Sequence, residues 1–474
     1  MRVIDGWIKH TLGVACFSYA DKQAALLKNN KLNLDEYMEV SKFIIKSELN
    51  SDKVLLYSTL NTALISLSEK QYHTIFIEQD FSDNDMVKQL SQMGFLVKSN
   101  NQESFILDKL REDDLSSNIQ VVNIFSTNKC NANCYYCFEE GIEQIDMMEE
   151  TAAAAVSFIK EFYPEKQLQI MWFGGEPLFN FKIIEYITLA LKECGYELLT
   201  HVTTNGSLLT QEMIDFFKKH YSKISFQVTI DDINEKYYKI KRYEDLTEDN
   251  AFNTVVGNSK MLIENNIFTA IRINYLESKT DDAMEVFIYL KNLFAKYDSS
   301  LMRMYLAPIT LSEGCATCTI TPQNSEEHPF LKLVKFHYEQ GVVNPRAKND
   351  AQKLLSSFCL LPKVSACGAV RHRHITITAN GDLYKCHRFA KYKDYIVGNV
   401  YSGVDKDNVH YKFFIDPIIR DSDCKTCNIL PLCQGGCKAI RVLYDENLEC
   451  GIKHIQSDLV KLYYNELVKQ STDV

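Results

Sequence analysis

From residue 120 to about 310 the chain alternates short apolar runs with longer stretches whose apolar residues recur at helical spacing. Val121–Phe125, Gln167–Phe173, Leu198–Thr203, Ile224–Ile230, Ile267–Tyr275 and Met302–Leu306 are predicted strands. Between them, 147–163, Phe181–Leu191, Gln211–His220, Phe252–Glu264 and Asp281–Lys296 are predicted helices. In the last of these Val286, Phe287, Leu290 and Phe294 make one apolar face, and Asp281 and Asp282 sit in the first turn, where the helix dipole favours anions. Regular strand–helix alternation implies parallel strands with right-handed crossovers. The expected fold class is therefore α/β, a partial (β/α)6 barrel over 118–310. In such a barrel the chemistry sits at the C-terminal ends of the strands.

The flanks read differently. Residues 53–68 form two short strands about an Asn-Thr turn. Helical stretches over Glu69–Glu78 and Asp83–Met93 follow, and Gly94–Lys98 returns to strand. A hairpin, helices and a strand suggest a small winged-helix module over about 50–105, within an N-terminal region of 1–112; a structural α+β cap is the competing reading. Residues 1–50 carry no legible pattern. The polar run Asp113–Ser117 reads as a linker. After the barrel, 311–358 is a bridging segment and 359–474 a cysteine-rich domain.

Composition narrows the class. The net charge of −10 argues against nucleic-acid binding, which needs a basic surface. No apolar run is long enough to span a membrane, and the first 25 residues, with Lys9, His10, Asp21 and Lys22, lack the form of a secretory signal. A cytoplasmic location is expected. Fifteen cysteines in such a chain point to metal or redox chemistry rather than disulfides, and eight of them fall within 359–450.

The first predicted strand runs into Cys130, Cys134 and Cys137, spaced C-x3-C-x2-C with Tyr136 before the third. Three thiolates at this spacing suit three irons of a 4Fe-4S cluster, and the next cysteine is Cys194, so the fourth iron is left open to another ligand. A zinc knuckle prefers paired C-x2-4-C motifs and fits poorly. Polar motifs mark the later strand ends: Gly174-Gly175-Glu176-Pro177 after the second, Thr203-Thr204-Asn205-Gly206 after the third. Gln227 and Thr229 lie on the fourth strand, with Asp231 and Asp232 following it. Arg272 and Asn274, two apart and so on one face, lie on the fifth; Leu306 is at the sixth. Glycines at 174 and 175 let backbone approach a ligand closely. Arg272 and Asn274 suit a ribose or carboxylate, and Leu306 an adenine wall. A buried Arg–Asp structural pair is the competing reading of Arg272.

Taken in order, the triplet, Gly-Gly-Glu-Pro, Thr-Thr-Asn-Gly and Arg-x-Asn resemble the radical S-adenosylmethionine (SAM) enzymes over about 118–310. The resemblance implies a TIM-like partial barrel in which the open iron chelates SAM. One electron then cleaves its sulfonium bond, and a 5′-deoxyadenosyl radical takes a hydrogen atom from the substrate. It assigns Cys130, Cys134 and Cys137 to the cluster and Gly174, Gly175 and Glu176 to the methionine amino end. Arg272 and Asn274 go to the ribose or carboxylate and Tyr136 to the adenine, with Thr204, Asn205, Gln227 and Leu306 as further contacts. The C-terminal run Cys367, Gly381, Cys386, then Cys424-x2-Cys427-x5-Cys433-x3-Cys437 and Cys450 resembles the SPASM extension of peptide-modifying members. That resemblance implies two auxiliary 4Fe-4S clusters. Cys424, Cys427, Cys433 and Cys450 would hold one; Cys367, Cys386 and Cys437, with Cys359 as fourth ligand, would hold the other. Gly381-Asp382 reads as a hairpin turn that brings Cys367 and Cys386 together.

Sulfatase-maturing members usually carry Asp after the cysteine that corresponds to Cys386; this chain has His387-Arg388-Phe389. That departure favours a maturase of ribosomal peptides that installs a cross-link, a thioether from cysteine above all. Its implied partners are a cysteine-containing precursor peptide, held by strand addition to the N-terminal module, and an electron donor such as flavodoxin or ferredoxin. Sulfatase maturation is the enzymatic alternative. A non-catalytic iron–sulfur scaffold leaves the glycine and Arg-x-Asn motifs without a job, and eight C-terminal thiolates beside the triplet favour iron–sulfur over zinc. Cys315 and Cys318, after the barrel, are read as two reduced thiols on a loop, with a cluster-ligating or electron-shuttling pair as the competing reading.

Overall fold

A computed structural model describes residues 2–4, 7–9, 38–98, 100–115, 120–309, 328–342, 347, 349–363, 365–416, 422–444 and 451–472. Cys16, Cys315, Cys318 and Cys450 lie outside them. In the N-terminal part, β1 (Arg2–Ile4) pairs with β2 (Trp7–Lys9), and β3 (Glu39–Val40) with β7 (Leu96–Val97). Between β3 and β7, β4 (Ile44–Asn50), β5 (Lys53–Ser58) and β6 (Leu64–Ser68) form an antiparallel sheet. Ser68 then caps the helical stretch that follows through a reciprocal capping box with Gln71. β4 and the helix Asn100–Leu115 were not legible in the sequence. That helix absorbs Asp113–Leu115, which corrects the linker reading: Arg111 on it pairs with Asp108 and donates to Gln434 Oε1 at 2.6 Å.

The central sheet is built by β8 (Val121–Phe125), β9 (Gln167–Phe173), β10 (Glu197–Thr204), β11 (Lys223–Thr229), β12 (Phe268–Tyr275) and β13 (Met302–Pro308), all parallel and in sequence order. One face is apolar: Val122, Ile124, Ile170, Trp172, Val202, Phe226, Val228, Ile271, Ile273 and Leu306 are buried against the crossover helices. Register puts Asn123, Met171, His201 and Ser225 together on the opposite face, as it does Thr203 with Gln227 and Thr229 with Arg272 and Tyr305. That face is the polar interior, and its upper end carries the site.

The sheet does not stop at six strands. β14 (His374–Ile377) pairs in parallel with β8, and β15 (Asp382–Tyr384), β16 (Gly398–Asn399) and β17 (Gly403–Val404) continue it antiparallel. The cysteine-rich hairpin is thus an extension of the barrel sheet at its first strand, with Gly381 (φ +86°) at the turn. The N-terminal sheet packs on the C-terminal region. Ile45, Leu55, Tyr57 and Leu64 share one core with Leu355, Phe358, Ile429, Leu432, Ile455 and Tyr463. Tyr57 Oη donates to the Leu360 carbonyl at 2.5 Å, and Asn428 Nδ2 to that of Ile44 at 2.9 Å.

Candidate active site

The loop after β8 carries Cys130, Cys134 and Cys137, and it is held from both sides. Beneath it, Gly174 (φ +112°) sits where a Cβ would meet the Thr127 carbonyl oxygen at 2.4 Å. A Cβ at Gly175 would come within 2.2 Å of the Lys129 oxygen. Only glycine permits this approach. The Gly175 and Glu176 amides donate to the carbonyls of Thr127 and Lys129 at 3.3 and 2.8 Å. Among the described residues no hydrogen bond ends on the Gly174 or Gly175 carbonyl, so those oxygens can meet an ammonium group.

Glu176, Thr204 and Asn205 satisfy one another. Glu176 is fully buried; it accepts from Thr204 Oγ1 at 2.7 Å, from the Asn205 amide at 2.7 Å and from the Leu178 amide at 3.1 Å. Burial pushes its carboxyl up to about 7 against these bonds. Asn205 Nδ2 donates to Asn131 Oδ1 at 2.8 Å, and Asn131 Nδ2 in turn bridges to Ser207 and Asp245 at 2.9 Å. These side chains brace the cysteine loop: the Glu176 carboxylate, assigned by the resemblance with Gly174 and Gly175 to the methionine amino end, is taken up by Thr204, Asn205 and Leu178.

On the far side, Tyr136 Oη donates to Asp231 Oδ2, accepts from Lys241 Nζ at 2.8 Å and receives Asn274 Nδ2 at 3.3 Å. Arg272 Nε donates to Asn274 Oδ1 at 2.7 Å, so the two share the inner face. The buried ion pair at this level joins Asp231 to Lys241, 2.8 Å apart, and Arg272 is not part of it. Gln227 Oε1 accepts from Tyr305 Oη at 2.7 Å. Leu306 is a correction: its side chain belongs to the outer apolar core, and the inner-face neighbours at that level are Tyr305 and Ala307.

His387 was noted in the sequence only as a departure from relatives. It enters the upper barrel, its ring 4.7 Å from Phe173 and 5.9 Å from Phe138, with Arg388 over the Phe138 ring. Burial, Arg388 and Arg272 hold it down at about 4, so it is a neutral imidazole at pH 7. Lys241, Asn131 and Phe173 escaped the sequence reading; only Asp231 had a visible signal, its place just past a strand end.

The donor set fits an iron–sulfur cluster. Among the described residues no three His, Cys, Asp or Glu side chains converge on a single metal ion. The Cys130, Cys134 and Cys137 thiols nonetheless act on one another electrostatically, and burial pushes the half-buried Cys130 thiol up. Deprotonating them calls for an adjacent cationic centre, which a cluster supplies. Cys367, Cys386 and Cys437 form a second mutually interacting set, with Cys386 pushed up to about 12 by burial. Cys424 and Cys427 share a turn, the Cys427 amide donating to the Cys424 carbonyl at 3.2 Å, and Arg441 donates to the Cys424 sulfur at 3.0 Å. The charged neighbour recorded for the Cys359 thiol is Lys363, whose amide donates to Pro431 O at 2.9 Å. The described structure therefore gathers Cys367, Cys386 and Cys437 without showing Cys359 among them.

A parallel strand–helix barrel with a three-cysteine loop after its first strand, clamped by glycines from the second, defines a radical SAM domain. The Radical SAM superfamily model matches residues 124–289, so this part of the chain is a radical SAM domain. Over 95% of its length, and 98% of the relative's, it is 21% identical to the radical SAM cyclopropyl synthase TigE of Paramaledivibacter caminithermalis. It is 24% identical to a cysteine-type anaerobic sulfatase-maturating enzyme of Clostridium novyi, covering 66% of this chain and 86% of that one. Among solved structures, anSMEcpe with bound AdoMet superposes with a TM-score of 0.55 at 16% identity, over 75% of this chain and 98% of that one, which shows the shared fold. Among the described residues no helix is long and apolar enough to cross a membrane.

Proposed function

We propose that this enzyme is a maturase of a ribosomally made peptide. It removes a hydrogen atom from the peptide and closes a ring or cross-link with net loss of two hydrogen atoms. His387 carries the reading: a neutral, half-buried imidazole brought from the cysteine-rich extension onto Phe173 and Phe138, within electrostatic reach of Arg272. Bound at Cys130, Cys134 and Cys137, a 4Fe-4S cluster with SAM supplies the 5′-deoxyadenosyl radical. The Gly174 and Gly175 carbonyls receive the methionine ammonium, Arg272 and Asn274 take the carboxylate or ribose, and Tyr136 flanks the adenine. Phe138, Phe173 and His387 exclude water above; as the new bond forms His387 would accept the proton, and an iron–sulfur cluster held by Cys367, Cys386 and Cys437 would serve as the acceptor of the remaining electron. Cys367, Cys386 and Cys437 hold one auxiliary cluster and Cys424, Cys427, Cys433 and Cys450 another; Cys359 completes the first. The electron comes from a flavodoxin- or ferredoxin-like donor. The N-terminal antiparallel sheet suits capture of a peptide strand.

The bond formed is a thioether from cysteine, the product the His387 sequence favours. The full-length likeness to a cyclopropyl synthase supports a carbon–carbon ring as the competing product, with the same loss of hydrogen. Sulfatase maturation is supported by the Clostridium novyi relative and opposed by His387. Reconstituted, reduced enzyme is incubated with SAM and the peptide encoded beside its gene, and the product is treated with a thiol-alkylating reagent. Loss of two hydrogen atoms with one cysteine made unreactive is expected. The same loss with all thiols reactive means a carbon–carbon ring, and replacement of sulfur by an aldehyde in a Cys-x-Pro-x-Arg peptide means sulfatase maturation. Formation of 5′-deoxyadenosine with no change to any candidate peptide contradicts the maturase reading.

A further inference from the structure

The Lys241–Asp231 ion pair is almost wholly buried, at 2% and 1% side-chain exposure. Removing both charges from water costs several kcal/mol per ion, so such a pair is poor value as a stability device. Its connections indicate another role. The three ammonium hydrogens reach Asp231 Oδ2 at 2.8 Å, Tyr136 Oη at 2.8 Å and Thr229 Oγ1 at 2.9 Å. Asp231 Oδ1 takes the Asn274 amide at 2.8 Å, and Oδ2 takes the Tyr136 hydroxyl. Asn274 then holds Arg272. The backbone of Lys241 also grips the cysteine loop, its carbonyl accepting the Asn133 amide at 2.8 Å, with the Cys134 sulfur 4.0 Å away. The left-handed Arg242 (φ 52°, ψ 60°) ends the helix Asn234–Lys241 at this point, and Ala132 pairs with Tyr243 just beyond.

We propose that Lys241 is a positioning residue that ties the cysteine loop to Arg272 and Asn274, so that the seating of the loop sets the affinity for SAM. Every link in the chain from Cys134 to Arg272 is a hydrogen bond or close contact through Lys241, Tyr136, Asp231 or Asn274. The proposal rests on the radical SAM assignment and is independent of the peptide chemistry, because its readout is SAM binding rather than product.

Lys241→Met alone strands a buried carboxylate, so the decisive variant is Lys241→Met with Asp231→Asn, which removes both charges together. Tyr136→Phe, which deletes one hydroxyl, is the mild companion. Each holoenzyme is measured for iron per chain, for SAM affinity by equilibrium dialysis, and for the change in the electron paramagnetic resonance signal of the reduced cluster on adding SAM. Near wild-type iron is expected, with SAM bound about tenfold more weakly in the double variant and severalfold more weakly in Tyr136→Phe. The SAM-induced spectral change should be diminished in both. Wild-type affinity and spectral response in either variant overturns the proposal, as does weakened binding in a folded variant whose iron loss alone accounts for it.

Discussion

Gly175 shows how tightly the site is closed at the level of single residues. A Cβ there would lie 2.2 Å from the Lys129 oxygen and 2.5 Å from that of Asn128, both backbone atoms of the cysteine loop. Gly175→Ala should therefore displace the loop, with overpacking of about 1–3 kcal/mol. Iron bound at the triplet, counted in a chain lacking the auxiliary cysteines, should fall while the far-ultraviolet circular dichroism is kept. His387→Ala is expected to leave 5′-deoxyadenosine formation intact and lower modified peptide by about a hundredfold, the usual worth of a positioned acid or base; product yield per 5′-deoxyadenosine is the check. Cysteines, paired glycines and an Arg-x-Asn at strand ends were legible because their chemistry is written in residue type and spacing. Lys241 was not, since a lysine at a helix end normally reaches water, and here a left-handed turn at Arg242 carries the chain back over the loop. Nor does spacing reveal that Glu176 faces Thr204 and Asn205, which depends on how two loops meet.

Among the elements, the barrel strands and crossover helices followed from hydrophobic period, and the helix Gln211–His220 falls where its pattern put it. The helix Asn100–Leu115 was invisible because its charged residues, among them Glu103, Asp108, Lys109 and Glu112, leave no clean apolar stripe; docking stabilises it. Its Glu103 is buried and accepts from Ser41 Oγ at 2.8 Å, and burial pushes it up to about 7 from 4.5. A raised folded value means the stabilising contribution is complete below the unfolded value and is lost as pH rises through the folded one. Glu103→Gln should match wild type near pH 5 and exceed it near pH 8 by on the order of 2–3 kcal/mol. Melting curves across that range decide it, and identical pH dependence in both proteins would refute the docking account. The pairing of β14 with β8 had no local signal either, because the two strands are far apart in sequence.

At the scale of the whole molecule, the N-terminal sheet and the C-terminal cysteine region are one packed unit, joined through Tyr57, Thr59 and Asn428. The sequence offered a small winged-helix module or a structural α+β cap for this region without showing what it packs on, since domain contacts leave no mark in composition. Tyr57→Phe leaves the Leu360 carbonyl without its donor, which costs about 1–3 kcal/mol. Hydrogen exchange should then quicken in 54–57 and 455–467 together; quickening confined to the N-terminal sheet would mean that the two parts are separable. The central claim is that this fold uses Cys130, Cys134 and Cys137 to turn SAM into a radical source. It is tested most directly by reducing the reconstituted protein with SAM and measuring 5′-deoxyadenosine. Wild type should form it, and the combined Cys130→Ala, Cys134→Ala and Cys137→Ala variant, its auxiliary cysteines intact, should form none; undiminished 5′-deoxyadenosine from that variant would contradict the account.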